Sequence, residues 1–487
     1  MSTTAVNQYS NLVSGEWRAS DSGAWIDVVD PADERRVVGQ VPAMTEVDIA
    51  DVYAGAQTGA RTWAETPAVA RGRILLRAAQ LLRERSTGIA HDLTSEMGKT
   101  LAEATGEVSK SADFLEYCGG LGRVSQGDVL SDERPGVHAW TVREPLGVVL
   151  AICPWNDPLL TPARKIGPAL IAGNAVVLKP ATHTPIVSLQ LARALSDAGL
   201  PAGVLSTVTG TGRDISGPLL SHPALKAVSF TGSNAVGETL AAVLAPRGVK
   251  LQCELGGKNA TVVLADADLE LAAATIAMAG FAQAGQRCTA TSRVIVDRVV
   301  VEPLVQLLTE RAAALHAGSG LDSTTTFGPV VASDSLAEIE GFVHRAVASG
   351  AIIATGGARL VDGELKHGCF FAPTVLTDVT PDQEVWQEEV FGPVIAVLAV
   401  DGIDAAIRAV NDSRYGLAAA VFTRDLGSAL RFADRVETGQ VSVNLPTSGW
   451  DVHMPFGGFG ASGSGSKEQG SEGVAWYTRT KTIAIAG

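Results

Sequence analysis

Cys288 closes the segment Gly285-Gln286-Arg287-Cys288, where a glycine-loosened backbone and an adjacent guanidinium favour the thiolate that attacks carbonyl carbons. A lone cysteine is ordinarily a small buried hydrophobe, and that reading suits Cys118, Cys153, Cys253 and Cys369. Two other residues offer complementary chemistry. Asn156, in Pro154-Trp155-Asn156, carries an amide able either to donate to an oxyanion or to cap the next helix. Glu254 ends the apolar run that begins at Val249; burial there raises a carboxylate toward general-base behaviour, whereas an ion-paired glutamate is the ordinary alternative. No CxxC or HExxH spacing offers a metal site.

A phosphate-binding feature stands elsewhere in the chain. No convincing Gly-x-Gly-x-x-Gly follows a strand, and Gly210-Thr211-Gly212 is too short to count. Thr231-Gly232-Ser233 instead opens a helix near Asn234, so its hydroxyls and backbone donors can face a pyrophosphate at the positive helix end. Gly237 would let that helix approach a dinucleotide closely; a plain helix start is the simpler reading.

These residues need elements to hold them. From 146 to 255 apolar runs alternate with amphipathic stretches: strands are expected at Leu146–Ile152, Ala175–Leu178, Val204–Val208, Ala227–Phe230 and Val249–Cys253, with helices near 162–171, 184–198, 213–220 and 234–245. The pattern predicts a parallel sheet covered by helices, with ligands beyond the strand C-termini, where Asn156, Lys179, Thr231 and Glu254 fall. Alternation restarts at Thr261–Leu264, Arg293–Val296 and Val394–Leu398, suggesting a second α/β domain. The region before 120 reads as largely helical, and 121–145 as β-like.

The bulk properties agree with a multi-domain enzyme. A chain of 487 residues exceeds what one core organises, and 46% hydrophobic with 18% charged residues is ordinary globular composition. The net charge of −14 disfavours nucleic acid and anionic membranes, so a small-molecule partner is expected. No run of apolar residues suggests a membrane span, the first eight residues lack a secretory leader, and the 5 scattered cysteines are expected to be thiols; the expectation is a cytoplasmic protein.

Pro154-Trp155-Asn156, Gly173 through Pro180, Phe230-Thr231-Gly232-Ser233, Glu254-Leu255-Gly256-Gly257-Lys258, Gly285-Gln286-Arg287-Cys288, Glu389-Val390-Phe391-Gly392-Pro393 and Pro455-Phe456-Gly457-Gly458 occur in this order. With them the chain resembles the aldehyde dehydrogenase superfamily from about Gly15 to Thr482. The resemblance implies a Rossmann-like cofactor domain (1–122 and 146–255), an α/β catalytic domain (256–455) and a small β oligomerisation element (123–145 and 456–487). It implies NAD(P)+-dependent oxidation of an aldehyde to an acid: Cys288 as nucleophile, Asn156 with the Cys288 backbone N–H as oxyanion hole, and Glu254 as base for thioester hydrolysis. It also implies that Trp155, Lys179, Thr182, Thr231, Gly232, Ser233, Gly237, Leu255, Glu389 and Phe391 bind the cofactor, Lys179 at the adenosine ribose and Glu389 with Phe391 at the nicotinamide end.

Departures from the common pattern carry the finer expectations. Many NAD-preferring relatives have Glu where Thr182 stands, so loss of that charge points to NADP+ or dual use. Asp157 replaces a frequent Phe, and Arg164 stands two helical turns further on, where it can bind a substrate carboxylate or pair with Asp157. Arg287, Trp450 and His453 are further substrate-binding candidates. The segments 285–290 and 444–456 look closest to 2-oxoglutarate-semialdehyde dehydrogenases, with succinic-semialdehyde relatives near, so a semialdehyde of a carboxylic acid is expected. An aromatic or polar aliphatic aldehyde, a CoA-acylating reaction and a noncatalytic scaffold stay open; Glu254 speaks against the second and the Asn156, Glu254, Cys288 set against the third. Gly460 replaces a common Lys. Strand edges at 123–145 and 477–485 are expected to pair across subunits, giving a dimer or tetramer.

Overall fold

The expected strands form with boundaries moved by one or two residues: Val148–Ile152, Ala175–Lys179, Leu205–Thr207, Leu225–Thr231 and Lys250–Glu254. The computed structural model describes residues 6–124 and 127–486; residues 1–5 of the N-terminal stretch read for a leader, 125–126 of the 123–145 segment and 487 of the 456–487 segment lie outside that range. The five strands make one parallel sheet, ordered Lys250–Glu254, Leu225–Thr231, Val148–Ile152, Ala175–Lys179, Leu205–Thr207. Helices Leu160–Ile171, Ile186–Asp197, Gly212–Ser221 and Asn234–Leu244 provide the crossovers. Val149, Leu150, Val176, Val177 and Val228 are fully buried, as strands covered on both faces require.

Strand order reverses between Val148–Ile152 and Leu225–Thr231, which opens a crevice at their C-terminal ends. Pro154-Trp155-Asn156 leaves one of these strands and Thr231-Gly232-Ser233 the other. A second sheet has seven strands, ordered Ile352–Thr355, Thr374–Thr377, Val394–Val400, Thr291–Asp297, Asn259–Val263, Ala418–Phe422, Gln440–Val443, with only the first antiparallel to its neighbour. It has its own apolar core, in which Trp386, Phe422 and Phe432 are buried. Cys288 lies just before Thr291–Asp297, so it enters from the N-terminal side of this sheet, opposite the exits of the first.

The region before 120 is only partly helical. Four helices run from Glu46 to Gly120, but Asn11–Val13 pairs with Glu16–Arg18 and Trp25–Val29 with Val37–Pro42. Strands of three to six residues are too short to develop a readable period. The edge expectation also changes: Thr478–Ala486 runs antiparallel along Val137–Pro145, and Val129–Leu130 pairs on its other side. The two predicted edges therefore cover each other within the chain, leaving the outer edge of Thr478–Ala486 free among the described residues.

Candidate active site

A cavity of about 760 Å³ opens where the two sheets face each other. Its walls include Trp155, Asn156, Asp157, Arg164, Thr231, Gly232, Ser233, Leu255, Arg287, Cys288, Glu389, Phe391 and Trp450. Residues spread over three hundred positions thus meet, as the motif order implied. Five predicted residues, Lys179, Thr182, Gly237, Glu254 and His453, stand apart from the walls. Lys179 and Thr182 lie beyond the neighbouring strand end, where the Thr182 hydroxyl donates to the Gly210 carbonyl at 3.2 Å. Glu254 is buried behind the wall. His453 is exposed and faces Asp451 at 3.6 Å, so it does not belong to the cavity.

Asn156 is buried with no protein partner for its amide among the described residues. The helix that follows starts at Leu160 without a side-chain cap, so Asn156 is not a capping residue. Cys288 is half-buried and lines the cavity, and its carbonyl accepts from Asn259 Nδ2 at 2.7 Å. Burial pushes the thiol up to about 12, and the cation that pulls it down is Arg164, not the adjacent Arg287. The expected activation by Arg287 is therefore not what this resting site provides. The guanidinium of the preceding residue points toward Gln283, whose Oε1 accepts from Arg287 Nε at 2.7 Å.

Both carboxylate oxygens of Glu254 are buried without a hydrogen-bond partner. Its pKa lies well above the ordinary carboxylate range, chiefly through burial and then through the neighbouring Glu468 charge. Arg164, Lys165 and Lys467 oppose this, but burial prevails. Glu468 holds both Lys165, through a short contact, and Arg164 at 2.6 Å. Arg164 also lies over the Phe456 ring, 4.6 Å from its centre. The alternative Asp157–Arg164 pairing does not form: Asp157 binds Lys99 at 3.1 Å and Gln283 at 3.1 Å instead.

The other half of the cavity fits a dinucleotide. Thr231 Oγ1 is buried and unpartnered, and Ser233 precedes the eleven-residue helix Asn234–Leu244 without capping it, so hydroxyl and backbone donors remain for an anion. Gly237 serves differently from expectation: a Cβ there would stand 2.9 Å from Leu255 Cδ2, so its absence makes room for Leu255, which itself lines the cavity. Glu389 Oε1 accepts from the Gly257 N–H at 2.8 Å, and burial pushes this carboxyl up to about 7. Phe391 holds φ +52° and sets its ring edge-on to Trp155 at 5.3 Å. Burial lowers Lys179 to about 8. Gly460 has φ +54°, and a Cβ would stand 2.6 Å from the Arg414 carbonyl, a direct reason for glycine in place of lysine.

The supporting shell was not visible in the sequence. Lys99, fully buried, contacts Glu107 closely and donates to the Asn156 carbonyl at 2.8 Å; Glu107 Oε1 accepts from the N–H groups of Leu159 and Leu160. Only the adjacency of Lys165 to Arg164 on one helix hinted at the Glu468 cluster. Among the described residues, no group of histidine, cysteine or carboxylate side chains suits a metal, and no helix is long and apolar enough to cross a membrane.

Comparison with known proteins agrees with this geometry. A family model described as the aldehyde dehydrogenase family matches residues 17–483. The alpha-ketoglutaric semialdehyde dehydrogenase of Bacillus subtilis is 38% identical over 99% of both chains, and the alpha-ketoglutarate semialdehyde dehydrogenase of Haloferax volcanii 42% identical over 97% of this chain and 98% of its own. Among solved structures, betaine aldehyde dehydrogenase of Staphylococcus aureus with NAD+ superposes with a TM-score of 0.96 at 33% identity, covering 98% of this chain and 94% of that one. A 3,6-anhydro-L-galactose dehydrogenase in complex with NADP gives 0.94 at 37% identity, covering 98% and 100%.

Proposed function

We propose, from the premise that this chain belongs to the aldehyde dehydrogenase family, that it oxidises a semialdehyde of a carboxylic acid through a thioester on Cys288. The observation that carries the reading is one cavity holding a half-buried thiol and an unpartnered amide, backed by a buried, unpartnered carboxylate. Cys288 Sγ adds as the thiolate to the aldehyde carbon, its proton having gone to solvent. Asn156 and the Cys288 N–H receive the oxyanion. NAD(P)+ supplies the hydride acceptor when bound; Thr231, Ser233, Lys179 and Glu389 would hold it, with Trp155, Gly232, Leu255 and Phe391 shaping its bed. Glu254 then takes a proton from water as that water attacks the thioester carbon; the Cys288 thiolate leaves, the acid departs, and the proton on Glu254 passes to the sulfur.

The carboxylate end of the substrate meets Arg164 and Arg287, both on the cavity wall, while Asp157 and Glu107 are already engaged by Lys99. The curated relatives named for alpha-ketoglutarate semialdehyde support this class. Thr182 in place of a carboxylate supports use of NADP+ alongside NAD+. We assign the domains as 1–122 with 146–255, 256–455, and a bridging element from 123–145 with 456–487, the free edge of Thr478–Ala486 favouring a homodimer or homotetramer. Initial rates on acidic, aromatic and aliphatic aldehydes with each cofactor test the reading. Expected is a kcat/KM advantage for 2-oxoglutaric or succinic semialdehyde; equal rates for neutral aldehydes of the same length would refute the substrate class, and a hundredfold preference for NAD+ the cofactor expectation.

A further inference from the structure

We infer that Asp157 and Gln283 form a strap that fixes the turn bearing Asn156 against the loop bearing Cys288, making both of them positioning residues. The inference rests on the oxyanion reading above. Asn156 belongs to the five-stranded sheet and Cys288 to the seven-stranded one, so the distance between the two donors is set by how the sheets dock. Among the described residues, the side-chain hydrogen bond joining the 153–160 turn to the 281–290 loop is Gln283 Nε2 to Asp157 Oδ1, at 3.1 Å.

Each end of the strap is itself fixed. Asp157 Oδ1 also accepts from Lys99 Nζ, which donates as well to the Asn156 carbonyl, so one ammonium pins both the strap and the donor residue. Gln283 donates its backbone N–H to Glu103 Oε1 at 2.8 Å, and its side-chain oxygen accepts from Arg287, one residue before the nucleophile. Glu103 Oε2 completes the capping box with Thr100 at the start of the helix Leu101–Gly120. The first two turns of that helix therefore grip the turn through Glu107 and the loop through Glu103. Gln283 and Ala284 hold φ of +52° and +54°, a strained conformation for non-glycine residues that persists where surroundings over-determine it.

Gln283 acts on geometry alone, whereas the Asp157 charge also pushes the Cys288 thiol up. Burial would push Asp157 up, but Lys99 and then Arg287 outweigh it and hold the carboxylate below its ordinary range, so it remains an acceptor at neutral pH. Losing it frees the turn to shift by a fraction of an ångström, and misplacement on the ångström scale costs about a hundredfold in rate.

The test uses the full-length enzyme with Asp157→Leu, Gln283→Leu, the double variant and Asp157→Asn. Expected is a fall in kcat/KM of about ten- to a hundredfold for each leucine variant, carried by kcat, with the double variant within threefold of the worse single one. Asp157→Asn, which keeps an acceptor, should fall less than Asp157→Leu. Alkylation of Cys288 by iodoacetamide, a displacement that develops no oxyanion, should stay within twofold in Gln283→Leu and should rise, not fall, in the Asp157 variants, which lose a charge that pushes the thiol up. Alkylation falling in step with kcat/KM, or losses that multiply in the double variant, would overturn the strap. Should Asp157→Leu not fold, Gln283→Leu with Asp157→Asn still decides it. Asn156→Ala separates the layers: no loss there sinks the oxyanion reading itself, whereas a loss there with unchanged strap variants sinks only the strap.

Discussion

Gly256→Ala should weaken cofactor binding without disturbing the nucleophile. A Cβ at position 256 would stand 2.2 Å from Glu389 Oε2 and 2.9 Å from its Cδ. Ordinary contact begins near 3.4 Å, so the carboxylate must retreat by about 1.2 Å. That movement breaks the 2.8 Å bond from the Gly257 N–H and carries the carboxylate away from the place a nicotinamide ribose would occupy. A hydrogen bond to a charged group contributes about 1.5–3 kcal/mol, so the dissociation constant should rise roughly ten- to a hundredfold. Titration of the oxidised cofactor, followed by tryptophan fluorescence, reads this directly; pH 8 is chosen because Glu389, at about 7, is then mostly ionised. Alkylation of Cys288 should be unchanged. Glu389→Asp in the Gly256→Ala background withdraws the carboxylate by one methylene and should recover part of the loss. An unchanged dissociation constant in Gly256→Ala, with folding intact, would refute the role assigned to Glu389.

Glu254→Gln should leave a burst of about one reduced cofactor per site and slow steady-state turnover by about a hundredfold or more, measured by stopped-flow absorbance. Because burial raises the Glu254 pKa, the carboxylate form that serves as base appears only above the ordinary carboxylate range; hydrolysis-limited kcat should rise with pH across that window, and the rise should vanish in Glu254→Gln. Thr182→Glu should lower kcat/KM for NADP+ by about tenfold or more through repulsion of the 2′-phosphate while sparing NAD+, checked by initial rates with each cofactor. Lys99→Met leaves Glu107 buried without its counter-ion and should cost about 3–5 kcal/mol in denaturant-measured stability.

The parts of the fold that were readable share a cause. Strands buried on both faces are continuous apolar runs, so Val148–Ile152 and Ala175–Lys179 announce themselves, and residues at their C-terminal ends become candidates before any contact is known. The hairpins between Asn11 and Pro42 carry no such signal, being short and mixed in burial. Pairing was harder still: Thr478–Ala486 reads as an exposed strand, but nothing local says that its partner lies more than three hundred residues earlier. Gln283 and Ala284 were hidden for another reason, since positive φ is expected of glycine and only the completed site accounts for it here.

The chemistry of Glu254 shows why the remaining site residues escape sequence reasoning. Its motif says only that a carboxylate ends a strand; whether it is a base depends on charges contributed from elsewhere. Arg164 and Lys165 bring two cations from the helix after Asn156, and Glu468 returns one negative charge from near the C-terminus. With Lys467, which also acts on Glu254, two positive charges are left over, and ionised Glu254 would balance one of them. Burial disfavours ionisation strongly, Glu468 adds to that, and the three neighbouring cations limit how far the pKa climbs. Removing Glu468 would therefore ease ionisation of Glu254 while uncovering two buried cations, so the same carboxylate that raises the base's pKa also makes the cluster stable enough to exist. A base tuned by opposing charges has no local sequence signature, because its tuning belongs to the docking of the two sheets.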